Sequence, residues 1–315
     1  MTSTEKLRGR TITVGLCTYK RPHVLETLRS IESQKGLASE TIQIVVVDND
    51  VEQSGRKYVE TFAQETGVWV DYVSEPAKNI AAARNAVLEN SKGLWIAFID
   101  DDELAEPDWL QNLLITADRF NATAVIGRVI SIYPSNTPRW ITEGGYFDRT
   151  EKSTGSRLEH GNTGCALINA EYLRDKGIRF DPRFGLTGGE DSDLFFRVYK
   201  TGGKIVWCNE ARVTEPVESN RLNAKYLSIR ALRGGQTWIA FQRPFFDKKM
   251  LAKVWLKTFA KVLGNAHLLI VLLPFGPRFY MRPWLKIVDG FGKATALMGT
   301  RQVEIYKLVE PENAH

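Results

Sequence analysis

The chain has 315 residues, 43% hydrophobic and 25% charged, an ordinary composition for a globular enzyme with one large α/β domain or two smaller ones. Three widely spaced cysteines and four scattered histidines exclude a zinc-binding spacing, residues 1–6 lack the apolar region of a secretory signal, and no uninterrupted run approaches the ~20 apolar residues that span a bilayer, 268–275 being the longest. The net charge of +5 is uneven: residues 1–220 hold 26 basic and 32 acidic side chains and residues 221–315 hold 16 and 5, so the last third calls for an anionic partner, a membrane surface or a phosphate-bearing ligand.

The first half alternates two periodicities. Residues 12–17 read as a strand, and 22–34 as a helix with Val24, Leu25, Leu28 and Ile31 on one face and Pro22 in its first turn. Residues 42–47 are apolar on both faces, as in a buried strand. A helix over 55–66, a strand over 69–73, an alanine-rich helix over 79–90 and a strand over 94–99 follow. Strands alternating with helices of this length predict a mostly parallel sheet with right-handed crossovers. Beyond a helix at 109–120 come a strand at 124–130, a loop-rich stretch at 134–162 and a strand at 165–168. A helix at 194–201 and a final strand at 204–208 close this part, and from 223 onward the chain reads as helical and basic.

Acidic residues gather where strands should end. Asp100-Asp101-Asp102-Glu103 follows the apolar run 94–99, and adjacent carboxylates at the edge of a core repel unless a cation or donors sit among them. Magnesium and manganese take such oxygen ligands and bridge to substrate phosphates, and open α/β sheets bind ligands at the carboxyl ends of their strands. A solvated acidic turn has the same composition, so placement is what favours the ligand site. Val47-Asp48-Asn49-Asp50 ends the second strand on the same rim. In the alanine-rich helix Arg84 is a long cation near a helix start, suited to a diphosphate or to a salt bridge. Gly188-Gly189 precedes Glu190-Asp191-Ser192-Asp193; Asp191 or Ser192 would serve as a helix cap, and a carboxylate held there would also serve as a general base for a hydroxyl nucleophile.

Taken in order, these motifs resemble the family 2 glycosyltransferases with the GT-A fold. The segments are Thr18-Tyr19-Lys20-Arg21-Pro22, Val47-Asp48-Asn49-Asp50, Ala83-Arg84-Asn85, Asp100-Asp101-Asp102 as the DXD motif, and Gly189-Glu190-Asp191. The branch resembled is that of the bacterial exopolysaccharide glucosyltransferases of the succinoglycan ExoM type. The resemblance implies an α/β, Rossmann-like nucleotide-binding sheet flanked by helices in residues 1–220, with a nucleotide-sugar half at about 10–103 and an acceptor half at about 104–220. Residues 221–315 would then be a basic helical extension. It implies Thr18, Tyr19 and Asp48 at a uracil base, with Arg21, Asn49, Asp50 and Asp101 in the same nucleotide-sugar site. Arg84 would lie near the diphosphate, Asp100 at the ribose and Asp102 on a Mn²⁺ or Mg²⁺ ion. Asp191 would be the catalytic base and Glu190 an acceptor-site residue. The activity implied is inverting transfer of a sugar, glucose by family, from a UDP-sugar to a saccharide hydroxyl, the acceptor being polyprenyl-diphosphate-linked. Two features depart from the family. Where relatives carry a metal- or diphosphate-binding histidine this chain has Ala211-Arg212-Val213-Thr214-Glu215-Pro216, with Glu215 as a possible substitute. The Gln-x-x-Arg-Trp motif of processive synthases is absent, Arg230, Arg233 and Trp238 being a loose echo, which favours one sugar per acceptor.

In the tail, Lys253, Lys257 and Lys261 share a helix face beside Val254, Trp255, Leu256, Phe259 and Val262, as on an interfacial helix at an anionic leaflet or on a helix packed against the body. The expected location is cytoplasmic, peripheral on the inner face of the cell membrane. A two-metal phosphoesterase or nuclease is the rival enzyme class but leaves Asp48 and Tyr19 without a role. A non-catalytic nucleotide-sugar-binding protein is the rival without chemistry. No nucleic-acid partner is expected, and no Gly-x-Gly-x-x-Gly follows the first strand to hold a dinucleotide.

Overall fold

The computed structural model describes residues 11–37, 40–300 and 302–304; the expected lack of a signal in residues 1–6 lies outside them. Chain order is β1 (Thr11–Thr18), α1 (Val24–Glu32), β2 (Thr41–Asp48), α2 (Arg56–Thr66), β3 (Val70–Ser74), α3 (Ile80–Asn90) and β4 (Trp95–Ile99). Then follow β5 (Leu104–Ala105), α4 (Trp109–Phe120), β6 (Ala124–Ile132), α5 (Arg139–Thr142), β7 (Arg157–Leu158), β8 (Cys165–Asn169), α6 (Ala170–Asp175), α7 (Glu190–Lys200) and β9 (Ile205–Pro216). Three helices end the chain: α8 (Ala224–Gln242), α9 (Lys248–Leu272) and α10 (Pro277–Leu297).

One sheet runs β3-β2-β1-β4-β8-β6-β9-β5, with β7 paired to β9. The strands β3, β2, β1 and β4 are parallel, as βαβ crossovers require. Beyond β4 the sheet is mixed: β8 is antiparallel to β4 and β6, while β6 and β9 pair in parallel. β1 therefore leads to β2 on one side and has β4 on the other, which opens a crevice outside the ends of β1 and β4.

Both sheet faces are covered. Val24 and Leu28 of α1, Val59 and Phe62 of α2, and Trp109, Leu110 and Leu113 of α4 form one core with the sheet. Ala81, Ala83 and Val87 of α3 and Leu194, Phe195 and Val198 of α7 form the other. Gly15 of β1 lets α3 lie close: a Cβ there would come 2.2 Å from Val87 Cγ1.

Two sequence readings are corrected. α7 begins at Glu190, four residues before the apolar face that marked its expected start, so Glu190 and Asp191 lie in its first turn. Neither Asp191 nor Ser192 caps it; the N-cap is Gly189, at φ +99°. Gly188, at φ +72°, and Gly189 supply the left-handed backbone that turns the chain into α7, and a Cβ on Gly189 would also meet Thr237 Cγ2 at 2.1 Å. β9 runs on past 208 to Pro216, where its second half pairs with β6 and β5, so Glu215 stands on a strand.

α8 and α10 pack at backbone distance, because Gly235 and Gly292 leave no Cβ to meet Asp289 O and Leu232 O. α9 behaves differently. Only Val254 and Thr258 are buried in it, while Leu256, Phe259, Leu263, Ile270 and Val271 are exposed. With the turn after it, Lys248–Phe275 is long and apolar enough to cross a membrane by length and composition. The expectation that nothing here approaches spanning length counted only contiguous apolar residues, and these are spread along a continuous helix.

Candidate functional site

Outside the carboxyl ends of β1, β2 and β4 lies a cavity of about 350 Å³, within the size range of small-molecule sites. From the end of β1 come Cys17, Thr18, Tyr19 and Arg21; from the end of β2, Asn49; from the start of α3, Ile80 and Arg84; and from the end of β4, Asp100, Asp101 and Asp102. These residues lie up to 85 positions apart in sequence and share one rim because their strands are parallel.

The acids have different neighbours. Asp101 is buried: Thr18 Oγ1 donates to its Oδ2 at 2.8 Å and Arg21 Nη1 to its Oδ1 at 3.0 Å. Burial pushes its carboxyl up to about 6 against the pull of Arg21. Arg21 also donates to Asp102 Oδ2 and to Glu218 Oε1, and so ties the β1 loop to the end of β9. Burial raises Asp102 as well, opposed by Arg21 and reinforced by Asp100. Asp100 is the more open carboxylate and accepts from Arg84 Nη2 at 3.1 Å. Glu103 is fully buried, its carboxyl held well above the usual range by burial and by Asp100 and Glu215.

α3 carries Arg84 across to α7. The Asn79 side chain caps α3 by accepting from Ala82 N, and Asn85 exchanges two 2.9 Å hydrogen bonds with the Phe180 backbone, so the loop before α7 is fastened to α3. Arg84 then bonds both Asp100 and Glu190. Glu190 is 2% exposed, and burial raises its carboxyl to about 7 although Arg84 pulls it down.

The expected site residues do not all line the cavity. Thr18, Tyr19, Arg21, Asn49, Arg84, Asp100, Asp101 and Asp102 do; Asp48, Asp50, Glu190 and Asp191 do not. Asp48 has no exposed surface. Its Oδ1 accepts from Asp50 N, and its Oδ2 accepts from Gly55 N and Tyr72 Oη at 2.8 Å, so in this geometry it shapes the loop after β2. Asp50 is 2% exposed and one of its oxygens has no partner. Glu190 reaches the cavity through Arg84, and Asp191, half-buried beside it, accepts from Ser192 N.

The remaining lining comes from segments without a recognisable motif: Lys78 and Asn79 before α3, Phe147 and Arg149 after α5, Glu215 and Val217 around the end of β9, and Tyr226, Arg230 and Arg233 of α8. Lys78 sits 4.8 Å over the Tyr19 ring. Of these, Glu215 had a signal in its place where relatives carry histidine, and Arg230 and Arg233 in their loose echo of the processive-synthase motif; burial and Asp102 raise the Glu215 carboxyl. The site thus draws on both sides of the expected division at residue 220.

The donor set suits a hard cation. Among the described residues no three Asp, Glu, His or Cys side chains close around one point, so the chain would offer an ion one or two carboxylates. That is how magnesium-like ions are held when substrate phosphates and water complete the shell. Burial first, and the neighbouring acids after it, raise Asp102 and Glu215.

Residues 13–176 match the family described as Glycosyl transferase family 2. The chain is 39% identical over 226 residues to the succinoglycan biosynthesis protein ExoM of Rhizobium meliloti, covering 72% of this chain and 73% of that protein. Its fold is similar to that of S. aureus TarS 1-349 solved with UDP, at TM-score 0.54 and 15% identity over 92% of both chains. It is also similar to GalNAc-T7 solved with UDP, GalNAc and Mn²⁺, at TM-score 0.58 and 15% identity over 76% of this chain and 48% of that one.

Proposed function

The chain belongs to glycosyl transferase family 2 and is a glycosyltransferase of the ExoM type, and from this we propose that it moves a sugar, glucose by family, from a UDP-sugar to a hydroxyl of a lipid-linked saccharide in exopolysaccharide biosynthesis. The observation that carries the proposal is that Asp100 and Asp102 at the end of β4 line the same cavity as Tyr19 and Asn49 at the ends of β1 and β2. In this reading Tyr19, Thr18 and Asn49 hold the uracil nucleoside, with Asp48 keeping the loop of Asn49 in place. Asp100 faces the ribose, and Arg84 ties it to the acceptor side at Glu190. Asp102, with Glu215 as its neighbouring acid, would hold Mn²⁺ or Mg²⁺, whose charge when bound would offset that developing on the departing diphosphate.

Asp191 acts as the general base. It takes the proton of the acceptor hydroxyl as that oxygen bonds to the anomeric carbon, while the bond from that carbon to the diphosphate oxygen breaks on the opposite face. UDP leaves with the bonding electrons, the proton stays on Asp191, and the single displacement inverts the anomeric configuration. No covalent nucleophile on the protein is needed.

The test is a panel of nucleotide sugars with and without Mn²⁺ or Mg²⁺, read by thermal unfolding. A ligand at 100 times its Kd adds about 2.7 kcal/mol of apparent stability, so a UDP-sugar with the ion should raise the midpoint by several degrees. If no nucleotide sugar shifts it with any divalent ion, the proposal fails.

The exposed apolar face of α9, with Lys253 and Lys257 exposed along the helix and Lys261 paired instead with Asp289 of α10, supports a further part of the reading. The helix would lie on the anionic cytoplasmic leaflet and bring the cavity to a polyprenyl-diphosphate-linked acceptor. Because α10 packs tightly on α8, substitution is a cleaner probe than truncation. Leu256→Asp with Phe259→Asp should abolish sedimentation with anionic vesicles and leave nucleotide binding intact; undiminished sedimentation would refute the docking.

A further inference from the structure

Six arginines line the cavity, and they differ in what neutralises them. Arg21 meets Asp101, Asp102 and Glu218; Arg84 meets Asp100 and Glu190; Arg149 lies 3.7 Å from Glu215; and Arg221 lies 3.0 Å from Glu218. Arg230 and Arg233 have no ion pair among the described residues. Arg230 donates to the Tyr146 carbonyl and lies 5.2 Å over the Phe147 ring. Arg233 donates to the Thr187 carbonyl, and its Nε is buried without a hydrogen-bond partner.

The two guanidiniums belong to one surface. Tyr226, Arg230 and Arg233 stand at i, i+4 and i+7 of α8, on the helix face that walls the cavity. Burial depresses the charged form of Arg230; Tyr226 and Glu215 oppose this, while Arg233 and Arg149 beside it add to it. A half-buried guanidinium pair with no ion-pair partner, held by two carbonyls and a ring face and with one Nε unsatisfied, is a costly arrangement. An anion reaching the same face would relieve it.

We propose that Arg230 and Arg233 form a diphosphate-binding wall of this cavity. Each presents a planar fork of donors matched to phosphate oxygens, and the two lie about one helical turn apart on one face, so both long side chains can reach the oxygens of one diphosphate. The wall complements the acids at the end of β4, which take a cation where the wall takes the anion. This rests on reading the cavity as the site of a nucleotide-sugar transferase, in which two diphosphates are at hand: that of the donor nucleotide and that of a lipid-linked acceptor.

The experiment is calorimetric titration of the full chain and of Arg230→Gln, Arg233→Gln and the corresponding lysine variants. The titrants are inorganic pyrophosphate, UDP, uridine and farnesyl diphosphate, each without divalent ions. Loss of charge-assisted hydrogen bonds should weaken pyrophosphate by roughly 10- to 100-fold in each glutamine variant, with lysine restoring part of it and uridine unchanged. A matching loss for UDP assigns the wall to the donor; a loss for farnesyl diphosphate with UDP unchanged assigns it to the acceptor. The ligand-free glutamine variants should melt no lower than the parent, since a half-buried charge without an ion pair is removed. If the parent binds pyrophosphate and every variant binds it equally, or if the variants only lose stability, the wall is overturned while the transferase reading stands. If the parent binds pyrophosphate with this dependence but neither UDP nor any nucleotide sugar, the wall stands and the transferase reading falls. A parent that binds none of them overturns both.

Discussion

Replacing Glu190 by glutamine should make the protein's stability less sensitive to pH in a defined direction. The Glu190 carboxyl is raised from 4.5 to about 7 in the folded chain, by burial first and against Arg84. A carboxyl whose folded value lies above its unfolded one favours the native state while neutral, and that contribution is lost as pH rises through the folded value. The interval between the two values corresponds to about 3 kcal/mol. Between pH 4.5 and pH 8, Glu190→Gln should therefore gain about 3 kcal/mol on the wild type, since the amide is neutral throughout. Arg84→Met supplies the complementary half of a cycle. At pH 8 the buried carboxyl, deprived of Arg84, stays protonated about one pH unit above its wild-type value, which adds about 1.4 kcal/mol to the packing loss. At pH 5 the carboxyl is protonated with or without Arg84, and the loss should drop to about 1–2 kcal/mol of packing. In the double variant the share of the pH dependence that comes from this pair should vanish, leaving that of the other buried acids such as Asp101. Urea unfolding of the four proteins at pH 5, 6, 7 and 8 measures the cycle. A wild-type-to-Glu190→Gln difference flat in pH would show that Arg84 keeps Glu190 ionised throughout, and the argument from burial would be wrong.

Three further outcomes are expected. Asp102→Asn should retain the fold but lose the ion-dependent part of UDP-sugar stabilisation, seen as unfolding midpoints that no longer respond to Mn²⁺ or Mg²⁺; an unchanged response would remove Asp102 from the ion site. Asp191→Asn should lower turnover by roughly 10²–10⁴-fold with UDP affinity unchanged, and full activity in the variant would disqualify it as the base. Gly189→Ala places a Cβ at φ +99° and 2.1 Å from Thr237 Cγ2, and should cost about 2 kcal/mol or more. Adding Thr237→Ser should recover the steric part only, and a Gly189→Ala protein as stable as the parent would refute the turn argument.

Much of the fold was legible locally. Periodicity located α4 at Trp109–Phe120 and the parallel strands β1, β2, β3 and β4 within a residue or two, because apolar spacing reports which face of an element meets the core. It misplaced the start of α7, whose first turn is acidic: Glu190, Asp191 and Asp193 suit a helix N-terminus electrostatically but carry no apolar period. It cut β9 short because the half beyond Cys208 alternates polar residues that become strand only by pairing with β6 and β5. In the site, the acids at the end of β4 could be found from their place after an apolar run, whereas the inward turn of Asp48 could not. A one-dimensional motif shows that a carboxylate stands at a strand end and leaves open whether Tyr72, Gly55 or a ligand takes its oxygens.

The sequence by itself determined the element types, the parallel half of the sheet and the strand ends on which the acids stand, since these follow from local side-chain period and the handedness of crossovers. The tertiary structure alone decided which charges became partners. Arg21 reaches Glu218 across 197 positions and Arg84 reaches Glu190 across 106, while Arg230 and Arg233 come to the cavity through the packing of α8, and no local rule relates positions so distant in the chain.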